Sequence, residues 1–329
     1  VPEEYFHKVE EKYQGKMIER TYQVYNYINE KRQLVSNHDI SEQEAGREVV
    51  KGEVITKICN VYLPSNYDAS DKNKRYDVLY LLHGVGGTRY EWLDANGKVD
   101  DRYKICNIID HLVKNGEIEP LIVVFPEGRS AHDWADISFN PDGTNMLGFY
   151  YFDYELRYDL IPFIESEYNT NANILDQTEE GINHGRCHRA IAGLSMGGMQ
   201  SLTLTFGGYR CDSSKFVNQE GNFGNGLTYT EYTHGMEDLF HCVGAFSNAP
   251  TSTPGNKLAQ RIIESGYPIS LLYMTCGDED DIAYSMGYQV ASTGLKENVK
   301  GMIKHFPNHK TGGSFAVCSG YCNYCFSFS

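Results

Sequence analysis

The sequence lacks any apolar run long enough to cross a lipid bilayer. Its longest apolar stretches, such as residues 78–82 and Leu121–Phe125, have the length of single β-strands. Basic residues are also scarce, because 29 Lys and Arg face 44 Asp and Glu and leave a formal net charge of −15. A surface with that charge repels phosphate backbones. We therefore expect neither a membrane-embedded protein nor one that binds nucleic acid.

The apolar content nevertheless suffices for a folded core. Apolar residues make up 41% of the 329 residues, too many for a disordered chain. At roughly 150 residues per domain, this length corresponds to about two domains or to one large domain with insertions. Nine cysteines are an odd number, so at least one is unpaired. Those within apolar runs, Cys59, Cys242 and Cys276, are expected to be buried free thiols.

Short, nearly unbroken apolar runs predict strands that are buried on both faces, as in a parallel sheet covered by helices. These runs are residues 78–82, Leu121–Phe125, 190–193, Cys242–Phe246 and 271–276. Helical periodicity lies between them at residues 103–114 and 154–168, and Pro162 is expected to kink the second helix. The alternation of strands and helices predicts an open, doubly wound, mostly parallel α/β sheet.

The remaining segments predict one domain with additions. Residues 1–15 are polar and predict an N-terminal arm, and residues 16–28 and 54–63 alternate like an antiparallel strand pair. We expect residues 16–329 to form a single α/β domain. Two stretches are too long or too poor in apolar residues for ordinary connections and predict surface insertions, near residues 30–52 and 207–238.

The most informative local pattern is G-x-S-x-G, formed by Gly193, Ser195 and Gly197 between a predicted strand and a helical segment at residues 199–204. A nucleophile on a sharp strand-to-helix turn needs small neighbours on both sides, so that the backbone can pass close by. The helix that follows directs its N–H groups at a developing oxyanion. The pattern predicts Ser195 as the nucleophile of an α/β-hydrolase fold rather than an ordinary glycine-rich turn.

A second glycine-rich turn follows the strand at residues 78–82. It contains His83, Gly84, Val85, Gly86 and Gly87, and the N–H group of Val85 is expected to complete an oxyanion hole with the N–H of Met196. The acid and the base of this fold follow the nucleophile in the chain, so we interpret His83 as a structural turn residue. A nucleotide site is not indicated, since G-x-G-x-x-G is absent.

The order Ser, acid, His then requires a carboxylate and a histidine later in the chain. Four acids at residues 278–281 follow the strand at residues 271–276. They are compatible with a solvated turn or, with incomplete ligand spacing, a calcium site, and one of them at a strand end can orient an imidazole. His309 follows the next predicted strand, at residues 299–306, and its position favours it over His305 as the base.

Four segments together resemble the putative-esterase family, of the carbohydrate esterase family 1 type. They are residues 80–87, 155–165, 188–200 and 244–250. Within that family the sequence is most similar to feruloyl esterases of plant-cell-wall-degrading microbes, and acetylxylan esterases are also members. The resemblance implies Ser195 as the nucleophile and maps the acid onto Asp280.

The C-terminal segment departs from the family pattern. Members place the catalytic histidine after a pair of glycines, where this chain has Ser314, and Cys318 replaces a tryptophan. His309 can serve as the base if the loop takes a different path. Cys318, Cys322 and Cys325 lack a clear fourth ligand for zinc, and we expect neither a metal nor a cofactor.

These observations predict a serine carboxylesterase that removes ferulate from plant cell-wall arabinoxylan or its oligosaccharides through an acyl-enzyme. Trp134 is a candidate for contact with the aromatic acyl group, or else a plain packing residue. An acetylxylan esterase and a catalytically impaired binding protein of the same fold are the alternatives. The resemblance implies secretion, although no signal peptide is present from Val1 onward, and a multi-module or cellulosome context.

Overall fold

The computed structural model describes residues 1–31, 52–94, 97–140, 143–207, 234–277, 279–298, 303–305 and 314–317. Most of both predicted insertions, at residues 32–51 and 208–233, lies outside the described residues, and so does His309.

The described strands form one mixed nine-stranded sheet and one short hairpin. In chain order the strands are β1 Lys16–Tyr25, β2 Val54–Leu63, β3 Asp77–Leu82, β4 Lys98–Val99, β5 Arg102–Tyr103, β6 Leu121–Phe125, β7 Arg189–Leu194, β8 Cys242–Phe246, β9 Leu271–Thr275, β10 Ile303–His305 and β11 Ser314–Val317. The order across the large sheet is β1-β2-β6-β3-β7-β8-β9-β11-β10, and β4 pairs with β5.

The parallel centre of the sheet consists of the five strands that the apolar runs predict. Strands β6, β3, β7, β8 and β9 are all parallel to one another. Every residue of Leu121–Phe125 is buried, because helices and loops cover both faces. The predicted α/β-hydrolase fold is thereby confirmed.

Antiparallel strands flank this centre on both sides. Strands β1 and β2 pair from Lys16 opposite Leu63 to Tyr25 opposite Val54, which confirms the predicted N-terminal strand pair. On the other side, β11 lies between β9 and β10 and is antiparallel to both. The sequence predicts a strand at residues 299–306, within which β10 falls, but it gives no sign of β11.

The described helices connect the strands and cover the sheet. They are α1 Glu91–Asp94, α2 Lys104–Lys114, α3 Thr144–Gly148, α4 Phe152–Glu155, α5 Ile161–Glu167, α6 Glu179–Cys187, α7 Met196–Met199, α8 Gly255–Glu264 and α9 Gln289–Asn298. The helix predicted at residues 103–114 is α2. None of the described helices is both long and apolar enough to cross a membrane.

The helix predicted at residues 154–168 is interrupted. A π-helical turn, Leu156–Leu160, separates α4 from α5, and Pro162 lies in the first turn of α5. Proline has no N–H group to donate to the preceding turn, and the N–H of Ile161 instead reaches back to the carbonyl of Leu156. The expected disturbance at Pro162 therefore takes the form of a π turn.

A buried ion pair connects β2 to α4 within the core. The Lys57 ammonium lies 2.7 Å from Oε2 of Glu155, and the two side chains are 1% and 0% exposed. Lys57 also donates to the carbonyl of Arg129, while Tyr22 and Ser130 donate hydroxyl hydrogen bonds to the Glu155 carboxylate. Such partners are what a charge pair requires away from water. The three cysteines predicted to be buried free thiols are buried, and Cys59 and Cys276 are free.

Candidate active site

Ser195 lies at the apex of a sharp turn between β7, which ends at Leu194, and α7, which begins at Met196. Its backbone has φ 55° and ψ −114°, a left-handed conformation that L-residues rarely adopt and that costs about 1–3 kcal/mol. The side chain is half-buried. This is the backbone geometry of a nucleophile elbow, which presents the serine hydroxyl at the end of the strand.

Glycines on both sides of Ser195 make the turn sterically possible. A methyl group added at Gly193 would lie 2.4 Å from the carbonyl carbon of Gly197, and one added at Gly197 would lie 2.7 Å from the carbonyl oxygens of Leu82 and His83. Neither separation is compatible with a real Cβ atom. The two glycines of the G-x-S-x-G pattern are thus explained by close backbone approach.

Backbone hydrogen bonds hold the turn against the next strand. The N–H of Ser195 donates to the carbonyl of Phe246 at 2.9 Å, and the carbonyl of Ser195 accepts from the N–H groups of Met199 and Ala249. The serine backbone is therefore fixed both by the helix that follows it and by the segment that follows β8.

The glycine-rich turn after β3 lies directly against Ser195. A methyl group on Gly84 would be 3.1 Å from the Cβ of Ser195. The N–H of Met196 is among the first of its helix and has no intrahelical partner. Within the described part of the chain, neither this N–H nor that of Val85 donates a hydrogen bond. Both belong to segments in contact with the serine, as an oxyanion hole requires.

His83 is buried, and its side chain contacts both this turn and the segment that follows β6. Its Nδ1 lies 2.7 Å from the carbonyl oxygen of Gly84 and its Nε2 lies 2.6 Å from that of Glu127. Burial, together with the nearby Arg129, lowers the pKa of the imidazole to about 4. The ring is thus neutral near pH 7 and donates through only one nitrogen. Its surroundings agree with a structural role in the turn.

The acidic loop follows β9 at the same edge of the sheet. Leu194, Phe246 and Thr275 are aligned across β7, β8 and β9, so Ser195 and the loop after Thr275 begin at the same edge of the sheet, with β8 between them. Asp280 is half-buried, and its Oδ1 accepts the N–H of Ala283 at 2.9 Å. This bond anchors one carboxylate oxygen, and the other can serve an imidazole.

The strands around position 309 end at this edge as well. Ser314, the first residue of β11, pairs with Thr275, and His305, the last residue of β10, pairs with Phe315. His309 itself lies outside the described residues. Its role as the base stays a prediction, based on its place between two strand ends that flank the edge where Ser195 lies.

Trp134 is half-buried and packs over the core ion pair. The Lys57 ammonium lies 5.6 Å from the centroid of its ring, a cation–π contact that explains the tryptophan without a ligand. Its contact with substrate stays a prediction. No cluster of three side chains suited to a metal ion occurs among the residues that the structure describes.

Three residues that the sequence analysis missed surround the turn after β3. Oε2 of Glu91 accepts the N–H of Gly84, Nε1 of Trp92 donates to the carbonyl of Leu82, and Nη2 of Arg129 donates to the carbonyl of Gly87. No sequence pattern marks these three residues, because each acts through a contact with the backbone of the turn.

Comparison with known proteins finds similarity to esterases and xylanases. Residues 57–208 match the family model described as "Putative esterase". A stretch of 144 residues, 44% of this chain, is 41% identical to endo-1,4-beta-xylanase Y of Acetivibrio thermocellus and covers 11% of that protein. Another of 148 residues, also 44% of the chain, is 34% identical to the endo-1,4-beta-xylanase/feruloyl esterase of Xylanibacter ruminicola and covers 17% of it.

A solved structure extends the similarity over most of the chain. The feruloyl esterase module from Clostridium thermocellum, a mutant in complex with sinapinate, superposes with a TM-score of 0.54 at 26% identity, covering 90% of this chain and 77% of that one. By contrast, the chain covers less than a fifth of the length of the two xylanase relatives from Acetivibrio thermocellus and Xylanibacter ruminicola.

The fold, the elbow at Ser195 and these similarities define a class of protein, the α/β-hydrolase fold with similarity to esterases. Within that class it is similar to feruloyl esterases, which confirms the resemblance drawn from its motifs.

Proposed function

We propose that the protein is a serine carboxylesterase that hydrolyses feruloyl and related hydroxycinnamoyl esters through an acyl-enzyme. The observation that carries the proposal is the left-handed backbone of Ser195, held against a glycine-rich turn by Gly84. Strain of this kind persists only where the surrounding structure imposes it, and it clusters at active sites. A protein of the same fold without a catalytic role would have no need for a serine in a strained conformation.

In the first half of the reaction, Oγ of Ser195 forms a bond to the ester carbonyl carbon while an imidazole takes its proton. The carbonyl π electrons move to oxygen, and the N–H groups of Val85 and Met196 stabilise the resulting oxyanion. When the carbonyl re-forms, the C–O bond to the alcohol breaks, and the imidazole returns its proton to the leaving alkoxide. In the second half, water attacks the acyl-enzyme by the same route and releases the acid.

We assign the imidazole to His309 and its orienting carboxylate to Asp280. Without a general base, a serine hydroxyl is a weak nucleophile at neutral pH. Asp280 follows β9, the strand that pairs with both β8 and β11. The loop that carries its carboxylate therefore begins between the serine turn and β11, one of the two strands that flank residue 309 in the chain. A carboxylate in this place holds the imidazole in the tautomer that accepts the serine proton.

The substrate is proposed to be feruloylated arabinoxylan or its oligosaccharides. Support comes from the names of the xylanase and feruloyl esterase relatives and from the sinapinate complex of the similar module. We place the aromatic acyl group near Trp134. Since the relatives carry further regions, we also propose that this esterase acts outside the cell as one module of a larger xylan-degrading protein or assembly.

The direct test is release of ferulate from methyl ferulate and from feruloylated arabinoxylan oligosaccharide, followed by chromatography. We expect turnover on the order of 1–100 per second, typical of enzymes. Ser195→Ala should reduce kcat by about 10⁴-fold or more. Ser166→Ala, which removes an exposed hydroxyl on α5, is the matched control and should retain full activity.

Two outcomes would redirect the proposal. Full activity on acetylated xylan with no ferulate release would replace the acyl group by acetate, since acyl preference depends on the pocket walls rather than on the triad. Failure of a fluorophosphonate probe to label Ser195 in a folded sample, with no turnover of either ester, would leave a silent binding protein of this fold.

A further inference from the structure

A half-buried carboxylate, that of Glu91 on α1, contacts the turn that faces the serine. Oε2 of Glu91 accepts the backbone N–H of Gly84 at 2.9 Å, and the Glu91 side chain is 22% exposed. A methyl group on Gly87 would lie 1.6 Å from the same oxygen. The carboxylate therefore occupies the space that any side chain at Gly87 would need. The glycine-rich turn and the Glu91 carboxylate are therefore sterically complementary.

The helix that carries Glu91 is itself anchored to two strand ends. The neighbouring Trp92 donates its indole N–H to the carbonyl of Leu82 at 2.9 Å, at the end of β3. Its ring meets Phe246, the last residue of β8, edge to face at a centroid distance of 5.9 Å. The N–H of Glu91 donates to the carbonyl of Thr88. The position of the carboxylate is thus fixed relative to the sheet.

A buried cation balances the carboxylate. Nη2 of Arg129 donates to the carbonyl of Gly87 at 2.8 Å, and its guanidinium lies over the ring of Phe149. Burial raises the pKa of Glu91, whereas the Gly84 N–H and the charge of Arg129 oppose that rise. A lone anion beside an oxyanion hole would oppose the negative charge that develops there, and a cation held at the same turn offsets it.

We propose that Glu91 is a positioning residue for the oxyanion hole. It holds the N–H of Gly84 away from the serine, so that the following N–H, that of Val85, is presented to the substrate oxygen. Glycine-rich turns have many accessible backbone conformations, and an acceptor fixed on α1 selects one of them. The inference deepens the proposed esterase function and depends on it.

The test compares Glu91→Ala with Glu91→Gln in the hydrolysis of 4-nitrophenyl acetate, a small ester that makes no demand on the aromatic pocket. Glu91→Ala removes the acceptor and is expected to lower kcat by about 10–100-fold, because a displacement of about 1 Å at a reacting centre costs that much. KM should change by less than about 3-fold, since the hole acts mainly in the transition state. Glu91→Gln keeps an acceptor oxygen and should restore kcat to within about 5-fold of the parent.

The thiono analogue of the ester separates a loss in the oxyanion hole from general damage. Its sulfur is a poor hydrogen-bond acceptor, so the ratio of ester to thionoester turnover should fall in Glu91→Ala and persist in Glu91→Gln. Thermal unfolding identifies the folded fraction of each variant. Glu264→Ala, which removes an exposed carboxylate from α8, controls for the loss of one charge.

Equal activity of Glu91→Ala and the parent overturns the inference, as does an equal loss in both variants or an unchanged ester-to-thionoester ratio. In each of these cases the esterase proposal stands, because the parent is active. A parent that hydrolyses no ester and resists phosphonate labelling instead overturns the proposed function, and the inference falls with it.

Discussion

Gly197 lies where two carbonyl groups leave no room for a side chain. Because a Cβ atom there would come within 2.7 Å of the carbonyl oxygens of Leu82 and His83, Gly197→Ala must push β3 and α7 apart. We expect a loss of about 1–3 kcal/mol in the free energy of unfolding, as for overpacked cores, together with a large loss of kcat. Urea titration measures the first effect and ester hydrolysis the second.

The control for this substitution is Gly277→Ala. A methyl group there would meet no atom within 4 Å, so the free energy of unfolding should change by less than about 0.5 kcal/mol. Wild-type stability of Gly197→Ala would show that the two carbonyl groups do not confine this turn.

Individual site residues differed in how far the sequence could predict them. Ser195 could be predicted because the elbow is a local feature. The turn leaves no room for side chains two residues before and two residues after the serine, and both of these positions are glycines in the sequence. Glu91 could not, because its partner Gly84 is defined by a fold-specific turn and not by a periodic pattern. His309 was selected only by its order in the chain, and it lies outside the described residues.

At the scale of elements, the π turn Leu156–Leu160 carries a titrating carboxyl. Burial raises the pKa of Asp159 to about 7, although the Tyr27 hydroxyl donates to it. The unfolded-state pKa is about 3.9. The stability from the protonated carboxyl is thus fully present below pH 3.9 and is lost as the pH rises through 7.

Asp159→Asn, which cannot ionise, should therefore gain stability relative to the parent as the pH rises. We expect a relative gain on the order of 1 kcal/mol in the free energy of unfolding between about pH 4.5 and pH 8, measured by chemical denaturation at both values. Asp68→Asn is the control, since hydrogen bonds from Ser70 lower the pKa of Asp68 and keep it ionised throughout this window. A constant difference between Asp159→Asn and the parent would contradict the assignment.

The segment between β10 and β11 supplies a further prediction at this scale. If His309 is the base, His309→Ala should lower kcat by about 10⁴-fold or more without a matching loss of stability. His305→Ala is the control, because it changes a histidine within β10 itself and should keep most of the activity. A fully active His309→Ala would place the base elsewhere.

Short, nearly unbroken apolar runs made the central elements predictable. Five strands follow from runs such as Leu121–Phe125, because burial on both faces leaves an unbroken apolar signature. Strand β11 has only four residues, and its place in the sheet depends on pairing with the distant strand β9, so neither length nor periodicity marks it. The π turn is a similar case: Pro162 signals a disturbance, but tertiary packing decides its form.

Across the whole molecule, the Lys57–Glu155 pair connects the N-terminal strands to the helices that cover the sheet. Both side chains are fully buried. Lys57→Met removes the cation and leaves a buried carboxylate without its counter-charge, so we expect a loss of about 3–5 kcal/mol in the free energy of unfolding. Chemical denaturation with activity as a second probe measures it.

The matched control is the exposed pair formed by Arg20 and Glu167, in which both side chains are at least 36% exposed. Glu167→Gln should cost less than about 1 kcal/mol, because solvent screens surface pairs. Equal effects of the two substitutions would show that the core pair is not decisive for stability.

The sheet order also has a consequence for synthesis. Strand β11 is the last described strand in the chain, yet it lies between β9 and β10. A ribosome delivers the chain from its N-terminus, so β10 emerges before the strand that must separate it from β9. The nascent polypeptide therefore holds an exposed edge at β9 until residues 314–317 have been synthesised.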